Sequence, residues 1–175
     1  DDALVADLMS DEKELSEHNM LVDLGRNDLG RISQYGSVEV TKYQMIHKYS
    51  KIMHICSQVE SNIRPDMDSL DAIKSVLPAG TLSGAPKIRA CEIIDELEPV
   101  PRGIYGGALG YVDFGGNMDT CIAIRMAVKK NNKVYVQAGG GIVADSVPAN
   151  EYQESANKAK AVMLAIENAK EAVTI

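Results

Sequence analysis

Apolar positions recur along this chain with two different periods, and the switches between those periods divide it into elements. From about Ser10 to Leu29, Leu15, Leu21, Val22 and Leu24 stand among polar residues in a helical pattern, with Gly30 near its end. A turn is predicted at Tyr35–Gly36–Ser37. Val38–Val40 and Ile46–Ile63 are rich in Val, Ile, Met and Tyr and alternate imperfectly, as strands do. Arg64–Pro65–Asp66 breaks that run, and Asp68–Val76 reads as a short helix. Beyond a loop at Pro78, Ile88, Cys91, Ile94 and Leu97 form one stripe of a helix over Pro86–Leu97. Three strand-like runs follow at Gly107–Phe114, Thr120–Lys129 and Lys133–Ala138, with hairpin turns at Gly115–Gly116–Asn117 and Asn131–Asn132. The triple glycine Gly139–Gly141 closes the last strand, and a long helix runs from Pro148 to about Val173. Helices and hairpins together predict an α+β fold, a layered sandwich of largely antiparallel sheet with covering helices.

Composition narrows the function classes. At 175 residues the chain is long enough for one domain with a core of its own. Its net charge of −7, with no basic cluster to offset it, argues against a nucleic-acid partner. No apolar run approaches the roughly 20 residues that span a bilayer. Cys56, Cys91 and Cys121 are scattered, odd in number and never paired as CxxC. That favours free thiols in a reducing cytoplasm over a disulfide framework or a zinc site. The chain starts at Asp1, with neither an initiator Met nor a signal-like stretch, and is expected to be part of a longer protein.

Four features carry candidate chemistry. The segment PAGTLSGAPK (Pro78–Lys87) brackets Thr81 and Ser83 with glycines and prolines before a helix start. A helix N-terminus presents unpartnered N–H groups and attracts carboxylates or phosphates, although most such loops are caps only. Glu14 with Glu17, and Glu151 with Glu154, are carboxylate pairs at i,i+3 on two predicted helices. Such a pair shares a helix face and suits either a solvated surface or a hard divalent cation. In CIAIRMAV, strand alternation puts Arg125 on a face with Cys121, Ala123 and Ala127, a floor of small side chains around one guanidinium. That guanidinium matches a ligand carboxylate or a structural acidic partner equally well. His54 lies in an apolar strand, as a packed core histidine or as an acid/base near neutral pH.

PAGTLSGAPKIRA, followed by IIDELEP (Ile93–Pro99), resembles the chorismate-utilising enzymes, and among them the anthranilate synthase branch. ELSEH (Glu14–His18), EYQES (Glu151–Ser155) and DLGRNDLGR (Asp23–Arg31) extend the likeness over essentially the whole chain, which matches the C-terminal part of the family's catalytic domain. The resemblance implies a Mg²⁺ site with Glu17 and Glu154 as ligands and Glu14 and Glu151 supporting through water. It implies that Arg125 and Tyr105 bind the enolpyruvyl carboxylate, that Thr81, Gly139 and Gly141 contact the carboxylates of chorismate, and that His54 faces the departing ring hydroxyl. His18 would orient its neighbouring ligand, Lys160 is a weaker candidate near the metal, and His47 has no assigned role. Ser155 stands where the family often has Thr, and the polar residues of DLGRNDLGR are expected to be structural. The implied reaction is amination of chorismate with loss of pyruvate to give anthranilate, for tryptophan synthesis. Ammonia would come from a glutamine amidotransferase subunit. The alternatives are aminodeoxychorismate, isochorismate or salicylate synthesis, or a non-catalytic module. PAGTLSGAP favours the anthranilate branch over the PGGSITGAP style of the aminodeoxychorismate enzymes.

Overall fold

A computed structural model describes residues 2–49 and 52–172. They fall into two compact units, one reaching to Leu97 and including Tyr111–Asp119, the other formed by Glu98–Gly110 and the chain from Thr120 onward.

In the first unit, α1 (Asp2–Ser10) precedes α2 (Glu12–Gly30). The sequence pattern places the start of this helix at about Ser10 and marks no element over α1. Asp11 separates the two, because its carboxylate accepts hydrogen bonds from the Lys13 and Glu14 N–H groups and caps α2. Strands β1 (Glu39–Lys48) and β2 (Met53–Glu60) form an antiparallel hairpin, so the long β-like run is two strands rather than one. Register shifts flank Lys42, and Gln44 takes a left-handed φ of 51° at the irregularity. Helix α3 (Ser69–Val76) begins with a reciprocal capping box between Asp68 and Asp71. The Pro78 loop contains a single helical turn, α4 (Gly80–Ser83), before α5 (Lys87–Leu97).

The core of this unit sits where α2 meets β2, α3 and α4. Leu24 and Ile32 are buried there, together with Asp28, Ser33 and Ser75. The buried hydroxyls are satisfied: Ser33 donates to the Leu29 carbonyl and lies 2.7 Å from the Ser61 hydroxyl, while Ser75 donates to the Ala72 carbonyl.

A second hairpin, β3 (Ala108–Val112) with β4 (Met118–Ile122), has its tip grouped with the first unit. Asp113 accepts from the Asn117 backbone and side-chain amides and fixes the turn. In the second unit, β5 (Ala127–Lys130) and β6 (Lys133–Val136) pair through Asn131 and Asn132, both left-handed (φ 50° and 58°) as a type I′ turn requires. Helix α6 (Pro148–Ala172) follows, and Val173, the expected helix end, lies outside the described residues.

Among the described residues the antiparallel strands pair as three two-stranded sheets. One expectation needs correction: the run Thr120–Lys129 is not one strand, since it stops at Ile122 and resumes at Ala127. Backbone bonds explain the interruption: Ala123 exchanges bonds with Gly106 and Gly107, Ile124 N–H bonds to the Ile122 carbonyl, and Arg125 turns left-handed at φ 53°. The α+β class itself holds, with helices and antiparallel hairpins throughout.

Candidate functional site

The first unit carries Glu14, Glu17, His18, His54 and Thr81. Glu14 and Glu17 both lie on α2, Glu14 exposed and Glu17 half-buried with Lys13 at 3.7 Å. His18 Nε2 lies 2.6 Å from the Ser57 hydroxyl, which also accepts from the Gln44 N–H. Burial holds the His18 imidazole below its ordinary pKa and so favours the neutral ring. Asn19 Oδ1 accepts from the Tyr43 hydroxyl and the Gln44 amide. The irregularity in β1 therefore serves as a polar clamp on α2 beside Glu17. Nothing in the local sequence announced Ser57 or Gln44; imperfect alternation in β1 was the available signal.

His54 is not a core residue. It is exposed on β2, opposite His47 across the hairpin, with its ring edge-on to Tyr49 at 6.1 Å between centroids. Thr81 is exposed on α4. It stands six residues before α5 begins. A Cβ at position 80 would lie 3.0 Å from Leu24 Cδ1, tighter than an ordinary contact, so Leu24 would have to give way to it.

The second unit brings several expected residues together around the glycine run. A Cβ on Gly139 would lie 3.6 Å from the Tyr105 hydroxyl, and one on Gly140 would lie 3.5 Å from both Glu151 Oε2 and the Ser155 hydroxyl. The backbone thus passes close to a phenol, a carboxylate and a hydroxyl in succession. Gly141 has open space around it. Glu151 is only 5% exposed, which is unusual for a glutamate. It lines a cavity of about 330 Å³ with Ile142, Ser146, Tyr152 and Ser155. Glu154, one turn of α6 away, is exposed and paired with Lys158. Lys160 is exposed on the same helix.

Arg125 occupies the break between β4 and β5 and is exposed, so it does not rise from a strand floor. Buried Ala123 and the Gly106–Ala123 backbone bond link its segment to the loop of Tyr105. Within this unit, among the described residues, the guanidinium has no hydrogen-bond or ion-pair partner.

Asp28, Lys87 and the Asp23–Arg26 pair belong to the signature segments. Asp28 binds Lys87 at 2.6 Å, and Arg26 pairs with Asp23 at 3.0 Å on the surface. The three cysteines are free. Among the described residues no three His, Cys, Asp or Glu side chains converge as a metal cage, and no helix is long and apolar enough to cross a membrane.

A sequence model of chorismate binding enzymes matches residues 1–164. Anthranilate synthase component 1 of Pseudomonas aeruginosa is 60% identical over 98% of this chain and 35% of its own length. The same component from Acetivibrio thermocellus gives the same identity and coverage. The chain thus spans about a third of the curated relatives it matches. The crystal structure of anthranilate synthase component I from Streptococcus pneumoniae superposes with a TM-score of 0.88 at 56% identity, covering 92% of this chain and 37% of that one. The menaquinone-specific isochorismate synthase of Escherichia coli superposes at 0.81 but is 26% identical, over 93% of this chain and 38% of that one.

Proposed function

The chain belongs to the family of chorismate-binding enzymes, and we propose that it forms the C-terminal part of the catalytic domain of an anthranilate synthase large subunit. The observation that carries the branch is 60% identity to anthranilate synthase components, against 26% to an isochorismate synthase. Because those relatives are nearly three times longer, the activity is proposed for the longer subunit and not for this chain alone. A glutamine amidotransferase subunit is the proposed source of ammonia, and the cytoplasm the proposed location.

The residue types suit a hard divalent cation: Glu17 on α2 and Glu154 on α6 each offer carboxylate oxygens, and Glu151 lines a cavity with Ser146 and Ser155. Mg²⁺ bound there would neutralise the ring carboxylate of chorismate and favour electron withdrawal from the ring. The remaining roles belong to the chain itself. Arg125, exposed and unpartnered in its unit, grips the enolpyruvyl carboxylate through two parallel N–H···O bonds. Tyr105 adds its hydroxyl to the same carboxylate, beside the Gly139 backbone. Thr81 donates its hydroxyl to another carboxylate oxygen of the substrate. His54, exposed on β2, gives a proton to the departing ring hydroxyl, which leaves as water. Ammonia adds to the ring, a ring proton is lost, and the enolpyruvyl group departs as pyruvate, leaving anthranilate.

The test is product identification by mass spectrometry after incubating the full-length subunit with chorismate, Mg²⁺ and ammonium. Anthranilate with an equivalent of pyruvate is expected. Aminodeoxychorismate or isochorismate would move the chain to another branch, and unchanged chorismate would favour a non-catalytic module.

A further inference from the structure

Asp28 and Lys87 each stand at the wrong end of a helix. Asp28 is in the last turn of α2, where the aligned peptide dipoles present partial negative charge, and Lys87 is the first residue of α5, where they present positive charge. Neither helix gains from its own residue. The two meet at 2.6 Å with side chains only 11% and 15% exposed, and they join positions 59 apart in sequence. Lys87 also reaches the Val76 carbonyl at 3.5 Å.

The contact has a second half. Leu24 lies one helical turn before Asp28 on the same face of α2, and it is Leu24 that meets Gly80, at the other end of the Thr81 segment. The segment is thus held at both ends, by an apolar contact at Gly80 and an ion pair at Lys87. Glu17, Leu21, Leu24 and Asp28 follow at i, i+4, i+7 and i+11, so the face that receives the segment continues to Glu17. A buried ion pair adds little net stability, but it tolerates few alignments, because any slip strands two charges away from water.

We propose that Asp28 and Lys87 are positioning residues that lock the Thr81 turn in one alignment against the α2 face bearing Glu17. The proposal rests on the roles given to Thr81 and Glu17 above, so its test has one readout that needs no turnover.

In the full-length subunit, Asp28→Asn, Lys87→Met, the double variant and Lys87→Arg are compared by urea midpoint, hydrogen exchange and steady-state kinetics. The Leu82, Ser83 and Gly84 amides, all hydrogen-bonded within the turn, report its order. Each single neutralisation is expected to speed their exchange and raise the KM for chorismate by about tenfold, the effect of a modest misplacement. Lys87→Arg recovers most of both. The double variant, with no stranded charge, recovers the urea midpoint yet keeps the fast exchange and raised KM. Recovery of exchange and KM along with stability in the double variant would overturn the proposal, as would unchanged exchange in the singles. If the wild-type subunit leaves chorismate untouched, the functional reading fails while the exchange comparison still decides whether the pair orders the turn.

Discussion

Arg125 shows how one residue's environment sets its function. A guanidinium held in a salt bridge must give up its partner before it binds a ligand; this one, within its unit and among the described residues, has none to give up. Its backbone is left-handed, which for a residue other than glycine is uncommon and often marks a functional position. Replacing it with Met removes a charge-assisted fork worth about 1.5–3 kcal/mol. Arg125→Met in the full subunit should therefore raise the KM for chorismate by about 10- to 100-fold. The urea midpoint should stay where it was, because the side chain is exposed. A large loss of stability with unchanged KM would make Arg125 structural instead.

At the scale of elements, local chemistry was legible and nonlocal contacts were not. Asn131–Asn132 announced its turn because asparagine tolerates the left-handed region better than other side chains do. The short helix from Asp68 was readable after the Arg64–Pro65–Asp66 break, although the reciprocal bonding of Asp68 with Asp71 is visible only in three dimensions. Asp68→Ala is predicted to destabilise the first unit by about 1 kcal/mol, measured by urea unfolding. Asp71 adds a pH signature. Its carboxylate accepts from the Asp68 backbone N–H, and this, with the Lys74 ammonium, holds its pKa below the usual aspartate value. A carboxyl depressed in the fold contributes stability above its unfolded pKa of about 3.9, and loses it as pH falls through the lower folded value. The break at Arg125 gave no such warning. CIAIRMAV alternates as a strand would, and what interrupts it is backbone pairing with Gly106 and Gly107, a contact no local pattern encodes. The Glu14/Glu17 and Glu151/Glu154 pairs were readable as helix faces, but the burial of Glu151 beside Gly140 was not. The Asp28–Lys87 pair left only an indirect trace, two charges against their helix dipoles.

For the whole molecule, the balance of buried and exposed surface matters most. Among the described residues only Leu24, Ile32 and Ala123 are buried apolar side chains, while Ile88, Leu97, Ile142 and Tyr152 are each more than 70% exposed. Apolar surface on this scale seeks cover. The chain expressed alone is expected to self-associate with rising concentration in sedimentation velocity runs and to form no anthranilate. A monodisperse monomer, or a full subunit's turnover, would contradict that. The central claim is that α2 and α6 supply the carboxylates of a Mg²⁺ site for chorismate chemistry. Its most direct test is the Mg²⁺ dependence of anthranilate formation by the full subunit and its Glu17→Gln and Glu154→Gln variants, with urea midpoints as the control for folding. The account predicts that each variant needs about 100-fold more Mg²⁺, or more, while remaining folded. Variants with the wild-type Mg²⁺ dependence would contradict it.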